Sequence, residues 1–360
     1  MRTVLFFVNS FGKGGAERVC VNLGLQYLKE GYKVCFVTLL RNVDYLDDKY
    51  KFEILNLGID EKQPKSEAIS KILRQRKKVN NFILKNMPEE GYSLVTAHLP
   101  LSHLCASMSL LGKKCLYVQH TSLLQEKRNR WVYSFLYKRK MNICVSKGLQ
   151  IEMNNDMKIA EKRTKTIYNP VDVDKIQELS CENVGQIKRP YMLVVGRLIE
   201  TKRFDKAIQI FFEGDFYKKY DLYILGEGAL KSDLIDLVKK YGISKYVKFM
   251  GWQANVYKWM KNAQLILQTS DREAFPMVLI EALASGTKIV ASDCNFGANE
   301  ILLGDYAQYI ANREDINGYI QLIKKAIEEF EITFKHDILQ VCRVENVCNE
   351  YLKLYGEING

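Results

Sequence analysis

Short apolar runs alternate along this chain with longer stretches in which apolar residues recur every three or four positions. Val4–Asn9, Lys33–Leu39, Leu94–Ala97, Lys114–Gln119 and Asn142–Val145 have the length and composition of strands, and Val19, Leu23 and Tyr27 typify the helical spacing between them. This rhythm predicts a parallel sheet joined by crossover helices. After Asn169-Pro170 it lapses into the polar stretch Cys181-Glu182-Asn183-Val184-Gly185-Gln186, then restarts at Tyr191–Val195, Leu222–Leu225, Val247–Met250, Leu265–Gln268 and Lys288–Ala291. The expected organisation is α/β. It has two Rossmann-like domains, 1–170 and 190–337, joined by a linker at 171–189. Closing helices are expected at Arg313–Phe330 and Ile338–Leu354, the terminal segment near 338–360 packing back on the first domain. Parallel sheets bind ligands at the carboxyl ends of their strands, so two such domains are expected to face each other across a cleft.

The length of 360 residues, 47% of them hydrophobic, supports two cores better than one. No apolar run reaches the 18 or so residues of a bilayer span, which predicts a soluble protein. Nine cysteines without a Cys-x-x-Cys pair read as reduced, buried small hydrophobes of a cytosolic protein. Charge divides the chain: residues 1–180 hold 30 Lys/Arg against 18 Asp/Glu, and residues 181–360 hold 23 against 24. The excess gathers in Lys71, Arg74, Arg76, Lys77 and Lys78, in Lys127, Arg128 and Arg130, and in Lys138, Arg139 and Lys140. Nucleic acid, an anionic membrane and a phosphorylated acceptor would each be attracted to that half.

The chemistry concentrates after the strands. Arg197 follows Tyr191–Val195 and Lys202 opens the next helix, two cations suited to a diphosphate. Glu273-Ala274-Phe275-Pro276-Met277-Val278-Leu279-Ile280-Glu281 follows Leu265–Gln268. Pro276 near a helix start leaves the Met277 and Val278 amides free for phosphate or sugar oxygens. Glu281, one turn inside, can accept from two vicinal ribose hydroxyls, and Glu273 on the loop can reach a sugar. In the first half, Val4–Asn9 runs into Ser10-Phe11-Gly12-Lys13-Gly14-Gly15, either a binding loop or a plain tight turn. It is neither a dinucleotide fingerprint nor a Walker loop.

At these residues the chain resembles the retaining family 4 glycosyltransferases of GT-B fold. The resemblance runs nearly end to end: Gly14-Gly15-Ala16-Glu17-Arg18, Tyr168-Asn169-Pro170-Val171-Asp172, Gly196-Arg197-Leu198 with Lys202, Leu225-Gly226-Glu227-Gly228, Phe249-Met250-Gly251, and Glu273 to Glu281 continuing to Gly286. It implies that Arg197 and Lys202 hold the donor diphosphate and Glu281 the ribose. Glu273, Phe275, Pro276 and Met277 would meet the transferred sugar and its phosphate, with Gly226, Glu227 and Trp252-Gln253 near the base. His120, ending Cys115–Gln119, is where the family places a histidine against the donor sugar. Arg203 stands where the family commonly has glycine, and Ala298-Asn299 interrupts a more usual Gly-Pro-x-Glu run.

His98 also ends a strand and is expected on the acceptor side; His103 and His336 read as packing or surface residues. No His/Cys cluster has zinc spacing, and Asp172-Val173-Asp174 reads as a turn, so no metal and no cofactor are expected. The resemblance implies transfer of a sugar with retention, most naturally from a UDP-sugar, with positioning and diphosphate stabilisation carrying the rate. The acceptor would be a lipid-linked or growing polysaccharide, in bacterial surface polysaccharide or glycolipid assembly. In that architecture the basic N-terminal half binds the acceptor, with helix 66–87 (apolar at Ile69, Ile72, Leu73, Val79, Ile83 and Met87) and the aromatic segment 123–140 at an anionic membrane. The expected location is cytoplasmic, peripheral at the inner face of the membrane. The alternatives are a GT-B phosphorylase or sugar-nucleotide epimerase, a nucleic-acid-binding protein lacking any recognisable module, or an inactive scaffold.

Overall fold

The computed structural model describes residues 1–12, 14–41, 51–122, 130–294, 296–329 and 337–359. Lys13, Lys127, Arg128, His336 and the side chains of Arg130 and Trp131 fall outside that description. All ten apolar runs of the sequence are strands. In chain order the strands are β1 (Thr3–Val8), β2 (Lys33–Leu40), β3 (Glu53–Ile59), β4 (Leu94–His98), β5 (Leu116–Gln119), β6 (Met141–Cys144), β7 (Thr164–Thr166), β8 (Tyr191–Val195), β9 (Asp221–Leu225), β10 (Val247–Gly251), β11 (Leu265–Gln268), β12 (Ile289–Ser292) and β13 (Ile310–Ala311). Three of these carried no sequence signal. β7 and β13 are two or three residues long, and β3 is half-exposed, with Asn56 and Gly58 interrupting its apolar residues.

The chain divides into two units, Met1–Pro170 with Val341–Gly360, and Val171–Gln340. The first holds a parallel sheet in the order β3-β2-β1-β4-β5-β6-β7. The second holds a parallel sheet in the order β10-β9-β8-β11-β12-β13. Both are doubly wound: the order reverses between β1 and β4 and again between β8 and β11. At such a switch point the two flanking loops leave in opposite directions and open a crevice at the carboxyl ends, where ligands bind. Central β1 is buried at every residue, as a strand covered on both faces must be.

The linker expectation changes. The segment expected as a linker contains the helix Val173–Ser180, because Val173, Ile176 and Ser180 recur on one side and are buried. It packs on the helices Tyr257–Asn262 and Met277–Ser285, and Asn255 Nδ2 donates to Leu179 O at 2.8 Å, all within the second unit. Asp172 caps this helix by accepting from the Lys175 amide at 3.0 Å, a structural use of the Asp-x-Asp pair. At the other end, the helix Val344–Asn359 belongs to the first unit, where Tyr27 donates its hydroxyl to Cys348 O at 2.9 Å.

The helix Lys65–Asn86 does not bury the whole apolar stripe expected of it. Ala68, Ile72, Val79 and Ile83 face the core, whereas Ile69, Leu73 and Leu84, with Met87 just beyond the helix, are 38–53% exposed. Arg74, Arg76, Lys77, Lys78 and Lys85 on the same helix are exposed as well.

Candidate active site

In the second unit the expected residues meet at the switch point. The loop after β8 carries Arg197 and Lys202; the loop after β11 carries Glu273, Phe275 and Pro276 and opens the helix Met277–Ser285. The two loops are tied together through Asp271. Its carboxylate accepts from Arg203 Nη1 at 3.2 Å and lies 3.4 Å from Lys206 Nζ, and its amide donates to Thr201 O at 3.0 Å. Thr269 adds a hydroxyl bond to Arg203 O at 2.8 Å. Lys206 is 3% exposed and also donates to Arg313 O at 2.6 Å, so its charge is held at both ends. These ties bring the Lys202 ammonium onto the Glu273 carboxylate as a direct ion pair, and Ser270 donates to the same carboxylate oxygen at 2.8 Å.

Arg203 has a left-handed backbone, φ 50° and ψ 48°, which accounts for glycine being the commoner residue there. A non-glycine residue in this conformation costs about 1–2 kcal/mol. The side chain offsets it by binding Asp205 at 3.0–3.2 Å as well as Asp271, and these carboxylates hold its guanidinium above its usual pKa, Asp205 contributing most.

The glycine motifs serve close approach. A Cβ on Gly226, where φ is 140°, would stand 1.8 Å from Gly196 O, and one on Gly228 would stand 2.3 Å from Leu198 O. The Gly226-Glu227-Gly228 turn after β9 therefore lies directly on Gly196-Arg197-Leu198, with Leu198 N donating to Glu227 O at 3.0 Å. Arg197 is left exposed and makes no ion pair among the described residues. Glu227 pairs with Lys231 one turn on at 3.0 Å, and Trp252, after β10, is 45% exposed.

Pro276 caps the helix Met277–Ser285 rather than opening it, and the Met277 and Val278 amides make no hydrogen bond among the described residues. Phe275 is buried, and Gly297, at φ 83°, packs on it and on Pro276 so closely that a Cβ would stand 2.5 Å from Pro276 Cδ. Glu281 is 6% exposed among Leu279, Ile280, Ala282 and Leu283, all buried, with the Tyr257 hydroxyl 3.4 Å from Oε1. Tyr257, Ser270 and Asp271 were not legible as site residues. Ser270 meets Glu273 within the loop after β11, whereas Asp271 meets the loop after β8, and Tyr257 meets Glu281 from a separate helix, through the register of the fold.

In the first unit the switch point joins the ends of β1 and β4. Asn9 Oδ1 there accepts from the Ser102 hydroxyl at 2.6 Å and the Ser102 amide at 3.1 Å. Gly14 caps the helix Gly15–Lys29 without a side-chain bond, and the Glu17 carboxylate folds back over it, 2.1 Å from where a Gly14 Cβ would stand. An acidic side chain thus already occupies part of that helix N-terminus.

His98 and His120 end β4 and β5, and His98 Nδ1 lies 2.9 Å from His120 Nε2. His98 is 1% exposed and its Nε2 lies 3.0 Å from Thr96 Oγ1. Expected on the acceptor side, it has no free polar atom to offer a ligand, because the strand ends it beneath His120. His103 is fully buried, between the Tyr137 hydroxyl at 2.7 Å and the carbonyls of Ala97 and Val118 at 3.0 and 3.1 Å. Burial pushes all three imidazoles below their ordinary pKa, His120 to about 4 and His103 to about 3. They are neutral at pH 7.

Between the folded and unfolded pKa values the unfolded state binds more protons, so stability is complete above about pH 6.5 and falls as pH drops toward 4. His103 alone is expected to cost about 2 kcal/mol between pH 7 and pH 5. Denaturant unfolding at the two pH values checks this; equal or greater stability at pH 5 would contradict it.

Models of two families match the chain in series, Glycosyltransferase Family 4 over residues 13–175 and Glycosyl transferases group 1 over residues 177–333. The two doubly wound parallel-sheet units and these matches define a glycosyltransferase of GT-B fold. The chain belongs to that family. It is 26% identical over 349 residues, 91% of each chain, to the N-acetylgalactosamine-N,N'-diacetylbacillosaminyl-diphospho-undecaprenol 4-alpha-N-acetylgalactosaminyltransferase of Campylobacter jejuni. It is 26% identical over 228 residues, 61% of this chain and 59% of the other, to the lipopolysaccharide 1,6-galactosyltransferase of Escherichia coli. Among solved structures, Anabaena Alr3699/HepE in complex with UDP shares its fold, with a TM-score of 0.77 at 18% identity over 99% of this chain and 100% of that one.

Proposed function

We propose that the protein transfers a sugar from a nucleoside diphosphate donor, UDP-linked, to a lipid-linked or oligosaccharide acceptor in surface polysaccharide or glycolipid assembly, with retention of anomeric configuration. The observation that carries this is the switch point of the second unit. There Arg197, Lys202, Glu273, Glu281 and the free Met277 and Val278 amides converge on adjoining strand ends. Exposed Arg197, Lys202 and the two amides suit a diphosphate, the Glu281 carboxylate suits a ribose diol, and Trp252 with the Gly226-Glu227 turn suits the base. Positive charge facing the anionic leaving diphosphate comes from Arg197 and Lys202, so transfer proceeds without a divalent ion. Glu273, engaged by Lys202 and Ser270, orients the sugar. The relatives that act on an undecaprenol-linked substrate and on lipopolysaccharide favour a lipid-linked acceptor and the UDP donor is favoured by the UDP complex of the structural neighbour.

A peripheral membrane location fits the same reading. No helix of the described residues is long and apolar enough to cross a membrane. The helix Lys65–Asn86 instead shows Ile69, Leu73 and Leu84 to solvent beside six exposed cations, and Phe135 is 85% exposed on Arg130–Tyr137. Basic residues near an anionic bilayer contribute about 1 kcal/mol each, and the exposed apolar side chains add burial at the interface. Two measurements test the proposal. Radiolabelled UDP-sugars incubated with polyprenyl-diphosphate-linked saccharide in EDTA are expected to label the lipid fraction. The protein is expected to float with anionic vesicles at low salt and less so after Leu73→Glu/Leu84→Glu. Protein that stays in the soluble fraction would sink the membrane claim while leaving the transfer claim standing.

A further inference from the structure

We infer that Thr96 and His98 form a hydrogen-bond relay that fixes the proton of His120 on Nδ1, so that this ring presents a single neutral N–H donor to its ligand. The inference deepens the transferase reading, on which that ligand is a sugar oxygen. His98 is then a positioning residue and His120 the contact.

Thr96 and His98 are 0% and 1% exposed, so neither exchanges hydrogen bonds with water. His98 bridges Thr96 Oγ1 at 3.0 Å and His120 Nε2 at 2.9 Å. Between two neutral imidazoles such a contact needs one N–H and one lone pair, so the whole chain of three groups has two possible directions. In one, His120 Nε2 donates to His98 Nδ1 and His98 Nε2 donates to Thr96. The Thr96 hydroxyl then keeps a proton with no acceptor, since its hydrogen bond to His98 is the one it makes among the described residues. A buried donor left unsatisfied loses its hydrogen bonds to water with nothing in return, which disfavours this direction. In the other, the Thr96 hydroxyl donates to His98 Nε2 and His98 Nδ1 donates to His120 Nε2, so the buried Thr96 hydroxyl proton and both His98 nitrogens are used.

The second direction places the remaining proton on His120 Nδ1. That atom has no partner among the described residues, and His120 is half-buried at the carboxyl end of β5, where the sheet presents its ligand-binding edge. With its pKa pushed down to about 4 by burial, the ring takes up a proton poorly at neutral pH and serves as a donor to an acceptor oxygen. His103 provides an internal reference. Its Nε2 faces two carbonyls and must carry the proton, leaving Nδ1 to accept from Tyr137.

The chain has four histidines, so long-range proton–nitrogen correlation spectra of protein labelled with 15N-histidine report each tautomer, with assignments from His98→Gln and His120→Gln. In the full-length protein without ligand, His98 and His120 are expected to carry the proton on Nδ1 and His103 on Nε2. Thr96→Val is expected to replace the single tautomer of His98 and His120 by a mixture, and Thr96→Ser to restore it. A native His120 protonated on Nε2, or tautomers indifferent to Thr96→Val, overturns the relay. This reading needs no donor. If the tautomers are as inferred while saturating UDP-glucose, UDP-galactose and their N-acetylated forms leave the His120 nitrogens unmoved, the relay stands and the assignment of its ligand falls.

Discussion

Lys202→Ala is expected to lower kcat by about 10²–10³, the loss seen when one preorganised group facing developing charge is removed. In a sugar transfer that leaves a nucleoside diphosphate, negative charge grows on the bridging phosphate oxygen as the glycosidic bond breaks. A cation already held in place stabilises that charge without reorganisation. Lys202 is held by Glu273, by the Asp271 clasp on its loop and by Thr269, so the loss should appear in kcat more than in KM. Lys202→Arg is expected to recover only part of the rate, because a planar guanidinium cannot occupy the ammonium's position on Glu273 and Ser270. Glu273→Gln separates the roles. It frees Lys202 from its ion pair, so UDP alone should bind at least as tightly while transfer falls. Steady-state kinetics and calorimetry on the three variants check this, and a Glu273→Gln variant that loses UDP affinity would contradict the assignment of Glu273 to the sugar.

Glu281→Ala is expected to weaken nucleotide binding by about 10- to 150-fold for each ribose hydroxyl bond lost, since hydrogen bonds to a charged group contribute about 1.5–3 kcal/mol. The carboxylate is nearly fully buried in an apolar helix with Tyr257 on one oxygen. Such a group is costly to keep, and replacing it with a neutral one is often neutral or stabilising for the fold. The Glu281→Gln protein is therefore expected to unfold no earlier than the native one while binding nucleotide less tightly. An increase in stability together with a loss of affinity is the signature of a residue retained for its ligand. Loss of stability with affinity unchanged would assign Glu281 to packing alone.

The parallel-sheet architecture was legible because its central strands are buried on both faces and read as unbroken apolar runs. The edges were not legible: Asn56 and Gly58 in β3 and Lys165 in β7 face partly exposed positions, where pattern carries little information. Val173, Ile176 and Ser180 were overlooked for a related reason, since about two turns of amphipathic helix are easily masked by the polar residues that follow. At the site, Arg197, Lys202 and Glu273 stood out because they lie on the loops that follow strands, and Glu281 because it is a carboxylate one turn inside an apolar helix. Their supports did not. Asp271 acts on Arg203 and Lys206 from the neighbouring strand, and Tyr257 acts on Glu281 from a separate helix. Such contacts are set by the register of strands far apart in sequence. His98 shows the opposite failure. Its place at a strand end suggested a ligand contact, and only the packing of β4 against β5 reveals that both its nitrogens are already used.

The measurement that bears most directly on the central claim is calorimetric titration of UDP, GDP and ADP, and of their sugars, into the native chain and Glu281→Ala, with and without EDTA. The account predicts that UDP binds, that EDTA changes nothing, and that Glu281→Ala weakens binding by at least about tenfold. Binding that requires a divalent ion, or that survives Glu281→Ala unchanged, would contradict a donor site built from Arg197, Lys202 and Glu281.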